Sequence, residues 1–273
     1  MNRKQNKTYF STSKVMGILN LTSNSFYDGG KYNDTEKILS QTKKMIDEGA
    51  NIIDIGAQSS RPGSDEISEE EELSKIIPAL TEIRKYFPHV LISIDTYRAK
   101  VAEESINNGV NIINDISSGD LDKNMFSVIA KYKVPYIIMH MLGTPNNMQE
   151  NPTYNNVVED IINYFHRKIK TLHSLGIDDL IIDPGFGFGK TLEHNYEILN
   201  NLEKFKCLKY PILAGFSRKS MVYKLLDINA KQALNGTSVI NTIALNKGVK
   251  VLRVHDIKEA VECIKIVNFA KNK

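Results

Sequence analysis

Leu91-Ile92-Ser93-Ile94-Asp95 and Ile112-Ile113-Asn114-Asp115 share one construction, an apolar run that ends on polar side chains, with a stretch of helical pattern between them. The hydrophobicity is continuous rather than alternating, as expected of parallel strands buried on both faces. Working outward, similar runs occupy residues 15–19, 52–55, 136–139, 180–182, 212–214 and 251–254. Eight runs, each followed by a helical stretch, match the repeat of an eight-stranded α/β barrel, and 273 residues suit one such barrel. A doubly wound open sheet is the competing arrangement.

The helical stretches carry end signals. Asp34 is placed to cap a helix with the stripe Ile38, Thr42, Met45 and Ile46, ended by Gly49. Ser68 and Glu71 form an expected capping box, which reads the acidic run at residues 69–72 as a helix start rather than a metal site. Val158, Ile161, Ile162, Phe165, Ile169 and Leu172 make an amphipathic helix stopped by Gly176. Asp256 and Glu259 form a second expected box. No linker or internal repeat intervenes. The expectation is one domain over residues 15–273, preceded by a polar extension at residues 1–14.

Composition excludes more than it selects. A net charge of +3 is too mild to call for nucleic acid. No run approaches the ~20 apolar residues of a membrane span, and the first residues lack a signal-like apolar core. Cys207 and Cys263, far apart, read as reduced packing residues of a cytoplasmic protein.

The informative residues stand where the runs end. Asn20, Asp54, Asp95, Asn114, Asp115, His140 and Asp183 close six of them, Ser217, Arg218 and Lys219 follow the seventh, and Arg253 and His255 flank the eighth. In a barrel these ends converge on one mouth, where active sites are built. Asp95, Asn114 and Asp183 suit a flat ring bearing amino and lactam groups. Lys219, Arg253 and His255, ahead of a helix start, suit phosphate. The loops at residues 22–30 and 57–64 read as lids over that mouth. Residues 184–191, Pro-Gly-Phe-Gly-Phe-Gly-Lys-Thr, nearly match the phosphate-cradling P-loop. Pro184 stands where that motif has its first glycine and offers no N–H. The glycines are expected to let backbone approach a ligand, with Phe188 as a packing or stacking ring.

Taken in order, Met16-Gly-Ile-Leu-Asn20-Leu-Thr22, Ser25-Phe26, Asp28-Gly-Gly30, Ser60-Arg61-Pro62-Gly63, Ser93-Ile-Asp95-Thr96 and Ile113-Asn114-Asp115 resemble the dihydropteroate synthase family. So do Met139-His140-Met141, Asp183-Pro-Gly-Phe-Gly-Phe-Gly189, Ser217-Arg218-Lys219-Ser220 and Arg253-Val254-His255-Asp256. Each motif is short; the ordered set is specific. The resemblance implies a pterin-binding TIM barrel that condenses 6-hydroxymethyl-7,8-dihydropterin diphosphate with 4-aminobenzoate, giving 7,8-dihydropteroate and pyrophosphate for folate biosynthesis. It further implies a Mg²⁺ cofactor, a homodimer and a sulfonamide target. By the same resemblance Asp95, Asn114, Asp183, Lys219, Met139, Phe188 and Gly215 meet the pterin. Asn20, Arg253 and His255 meet the diphosphate, with Asn20 on Mg²⁺. Phe26, Ser60, Arg61, Pro62 and Ser217 meet the aminobenzoate. Asp28 joins Lys219, Asp183, Arg253 and His255 in the catalytic set, and no protein nucleophile is implied.

The sequence also departs from the family. Ser23, Asn24 and Tyr27 stand where the first loop usually has Pro, Asp and Ser; Ala57, Gln58 and Ser60 stand for Gly, Glu and Thr in the second. These changes bear on Mg²⁺ and aminobenzoate handling. Two rival readings share the pterin pocket, a methyltetrahydrofolate–corrinoid methyltransferase and a non-catalytic pterin-binding paralogue. The methyltransferase has little use for the Ser-Arg-Lys-Ser and Ser-Arg-Pro-Gly segments. Turnover separates all three.

Overall fold

The strands are β1 (Lys14–Asn20), β2 (Ile52–Gly56), β3 (Leu91–Asp95), β4 (Ile112–Asp115), β5 (Tyr136–Met139), β6 (Leu180–Asp183), β7 (Leu213–Ala214) and β8 (Val251–Val254). All their pairings are parallel, in the order β6-β5-β4-β3-β2-β1-β8-β7. The seam between β6 and β7 is joined by a parallel bridge from Ile182 to Ile212. This computed structural model describes residues 9–21, 31–58 and 66–272. The helices that follow the strands are α1 (Lys31–Asp47), α2 (Glu69–Tyr86), α3 (Ala99–Asn107), α4 (Met125–Tyr132), α5 (Val157–Ser174), α6 (Leu192–Asn200), the short α7 (Ser220–Tyr223), α8 (Leu234–Asn246) and α9 (Ile257–Lys271). The fold is therefore the eight-stranded α/β barrel expected, not an open sheet.

Successive strand side chains point to opposite faces, so each run divides into two sets. Ile53, Ile55, Ile92, Ile94, Ile113, Ile138 and Ile182 belong to the large core shared with the helices, such as Ile76, Leu80 and Phe165. Met16, Ile52, Ile112, Ile137, Ile181, Leu213 and Val251 form a separate cluster inside the barrel, closed by Phe10. Two residues further along each strand, that inner wall continues as Ile18, Asp54, Ser93, Asn114, Met139, Asp183, Gly215 and Arg253. The interior is apolar at the N-terminal end of the strands and polar at the C-terminal end. That division places the site.

The helix ends correct several expectations. Helix α1 starts at Lys31, so Asp34 lies inside it rather than at its cap. Ser68 does cap α2, accepting from the Glu71 N–H at 3.1 Å, but the reciprocal half of the box is missing because the Glu71 carboxylate pairs with Lys75 at 2.7 Å. Asp256 occupies the N-cap of α9, but its side chain makes no bond to the helix; both carboxylate oxygens take the Arg218 guanidinium in a charged bidentate pair. Helix α5 forms as expected with Asn156 as its cap, and Gly176 follows it at φ +74°. Cys263 is buried, whereas Cys207 is exposed and is no core residue. No described helix is long and apolar enough to cross a membrane.

Candidate active site

The register aligns the mouth-lining residues in adjacent pairs: Asn20 beside Gly56, Asp95 beside Asn114, and Met139 beside Asp183. Arg253 is the hub. Its Nε donates to Asp54 Oδ2 and its Nη2 to Asp95 Oδ2, both at 2.6 Å. Asn114 Nδ2 donates to the same Asp54 oxygen at 3.1 Å. Burial opposes the Arg253 charge, but Asp54 and Asp95 outweigh it and keep the guanidinium protonated. Asp95 is pushed above the ordinary carboxylate range by burial; Arg253 opposes this and Asp54 adds to it.

A second centre faces the first. Lys219 Nζ donates to the Phe186 carbonyl at 2.5 Å and lies 4.8 Å from the centroid of the Phe188 ring. Burial brings Lys219 down to about 8, with Asp183 acting the other way. Asp183 accepts from the Gly185 N–H at 2.7 Å, and burial raises its carboxyl against the pull of Lys219. A Cβ on Gly215 would stand 3.7 Å from Arg253 Cβ and 3.9 Å from Lys219 Nζ, so this glycine lies in the wall between the two centres. Ser217 Oγ lies 3.0 Å from His255 Nδ1 and accepts from the His255 N–H at 3.2 Å.

Of the residues expected at the site, Asn20, Asp95, Asn114, Met139, Asp183, Phe188, Gly215, Ser217, Lys219, Arg253 and His255 all fall at or just beyond strand ends on one side of the barrel. Phe26, Asp28, Ser60, Arg61 and Pro62 lie outside the described residues, as do Ser23 and Asn24. Two other strand-end residues are used structurally. Asp115 accepts from Ser117, Gly119 and Tyr136. His140 is buried against Lys190. The sequence marks Asp54 as a strand end and assigns it no role. It is fully buried, and its carboxylate anchors both Arg253 and Asn114. The clue was a carboxylate in an otherwise apolar strand, which needs a cation.

Among the described residues no cluster of three or more His, Cys, Asp or Glu side chains could hold a metal. Mg²⁺ commonly takes one or two protein oxygens and completes its shell with phosphate and water. The amide oxygen of Asn20, ending β1 at the mouth, fits such a minimal donor set.

The barrel with this mouth matches the pterin binding enzyme family over residues 16–255. A dihydropteroate synthase of Haemophilus influenzae is 43% identical over 258 residues, covering 94% of this chain and 93% of its own. The Yersinia pestis dihydropteroate synthase, solved with a sulfonamide drug complex, superposes with a TM-score of 0.91 at 41% identity, covering 97% of this chain and 96% of its own. That of Xanthomonas albilineans, solved with 4-aminobenzoic acid, gives 0.90 at 31% identity, covering 97% and 95%. The chain belongs to the dihydropteroate synthase family.

Proposed function

We propose that this mouth joins 6-hydroxymethyl-7,8-dihydropterin diphosphate to 4-aminobenzoate, releasing pyrophosphate. The bond between the pterin methylene carbon and the diphosphate oxygen breaks, and that oxygen leaves with the electron pair. The arylamine nitrogen attacks the electron-poor methylene, forms the new C–N bond and loses a proton. The observation that carries this reading is the connected network Asn114–Asp54–Arg253–Asp95 opposite Asp183 and Lys219 in one mouth.

Asp183, Asp95 and the Asn114 amide complement the amino and ring N–H groups of a pterin. Lys219 adds a donor for a ring acceptor, and Met139 lies at the wall beside Asp183. Arg253 and His255 stand at the rim, where the cationic surroundings favour the leaving diphosphate. Asn20 would hold Mg²⁺, which would supply further charge to that leaving group. Ser217, bonded to His255, is assigned to the aminobenzoate side, together with Phe26, Ser60, Arg61 and Pro62. A homodimer remains part of this reading.

Turnover with both substrates tests it. Wild-type protein should release pyrophosphate only when 4-aminobenzoate is present. A folded Asp183→Ala variant should lose tenfold to a hundredfold in pterin affinity, the cost of a charged hydrogen-bond partner at ~1.5–3 kcal/mol. Pterin binding without turnover in wild type would favour the non-catalytic paralogue.

A further inference from the structure

The glycine-rich segment after β6 is held by side-chain donors. Its five successive carbonyls, at residues 185–189, each accept from a side chain. Lys190 Nζ takes Gly185 O and Phe188 O, both at 2.9 Å. Lys219 Nζ takes Phe186 O at 2.5 Å, Gln149 Nε2 takes Gly187 O at 2.6 Å, and the Tyr154 hydroxyl takes Gly189 O at 2.7 Å. A phosphate-cradling loop presents N–H groups to an anion. Here the polarity is reversed.

Lys190 is 4% exposed, and its Nζ also lies 3.3 Å from His140 O and 3.1 Å from His140 Nδ1. Its nitrogen thus has three carbonyl acceptors, from the end of β5 and the loop after β6, with the His140 ring nitrogen beside it. Burial brings Lys190 down to about 7, with Asp183 acting the other way; its ammonium has three protons to give and its neutral amine two. The loop rests directly on β5's end: a Cβ at Gly185 would stand 1.9 Å from His140 O, and one at Gly189 2.6 Å from Leu142 O. The residues so fixed are those facing the mouth. Gly185 N–H holds Asp183, Phe186 O holds Lys219, and the Phe188 ring lies beside Lys219.

We propose that Lys190 is a positioning residue for the pterin, its amino group serving as the shared hydrogen-bond donor around which the loop at residues 185–189 folds. It touches no substrate and acts through Asp183 and Lys219. This rests on the reading of those two residues as pterin contacts. Volume alone cannot replace this donor, because Phe188 O and His140 O both accept from Lys190 and a buried carbonyl that loses its donor is destabilising.

The test is pterin affinity by calorimetry, with 6-hydroxymethylpterin as probe, in variants whose circular dichroism is native. Lys190→Ala should bind at least tenfold more weakly, and ethylammonium should restore much of the loss by refilling the cradle. Tetramethylammonium, with no N–H, should not. Lys190→Met, which keeps volume without charge, should stay weak with or without added amine. Wild-type affinity in either variant, or equal rescue by both cations, overturns the proposal. If Lys190→Ala does not fold, Lys190→Gln replaces it. Its two N–H groups and no charge should give an intermediate loss, and full affinity there overturns the proposal as well. Asp183→Ala in the same assay separates the two failures. Unchanged affinity there sinks the pterin reading itself, whereas weak binding there beside an unaffected Lys190→Ala sinks only the role of Lys190.

Discussion

Two mouth residues have acidities set by their surroundings, and both fall where an enzyme's pH profile records them. Lys219 is brought down to about 8 by burial, with Asp183 opposing. Asp95 is raised by burial despite Arg253. A bell-shaped kcat/KM follows. The alkaline limb should fall near pH 8, as Lys219 loses the positive charge it holds beside Asp183. The acid limb should lie above the usual carboxylate range, as Asp95 is neutralised beside Arg253. Lys219→Arg should remove the alkaline limb in a pH–rate series, even at reduced rate. Stability has its own sign. Folded protein releases the Lys219 proton near pH 8, whereas the unfolded chain keeps it to about 10.4. Between those values the unfolded state binds the extra proton, so the contribution of this group to stability rises with pH. Urea unfolding of wild type against Lys219→Met should show wild type gaining on the variant across that window.

At the scale of elements, the turns after the strands carry function and the helix caps carry stability. Gly185 has φ +73°, and its missing Cβ is what lets the loop lie on His140 O. Gly185→Ala therefore meets backbone rather than a side chain able to move. It should displace the loop and abolish pterin binding together with any cost in stability. Asn156 provides the contrast. It caps α5 by accepting from Val158 and Glu159 N–H, both at 3.1 Å. Asn156→Ala should cost about 1 kcal/mol in denaturant unfolding and leave kcat and KM unchanged.

Over the whole molecule the barrel separates its two ends. Phe10 closes the apolar interior at the end opposite the mouth, against Met16, Ile52, Ile112 and their neighbours. Phe10→Ala should destabilise by about 3–5 kcal/mol, as truncation of a buried aromatic does. Pterin KM should stay at the wild-type value at temperatures where the variant is folded. A large change in KM would mean the two ends are mechanically coupled.

The sequence by itself determined the barrel, because continuous apolar runs separated by helical stretches express local chain geometry that needs no knowledge of distant residues. It also determined which positions end the strands, and the ordered motifs identified the family. It singled out Asn114 but could not show what its neighbour does: both end β4, yet the pleat sends Asn114 toward the mouth and Asp115 to Ser117, Gly119 and Tyr136. Nor could it show that Asp256 abandons its helix for Arg218, or that Asp54 anchors Arg253. In the sequence Lys190 is the lysine of a defective phosphate loop, and only the fold places it among three carbonyls and the His140 ring. Those pairings join residues as much as 199 positions apart. A charge takes the best-placed counter-group in space, and only tertiary structure decides which group that is.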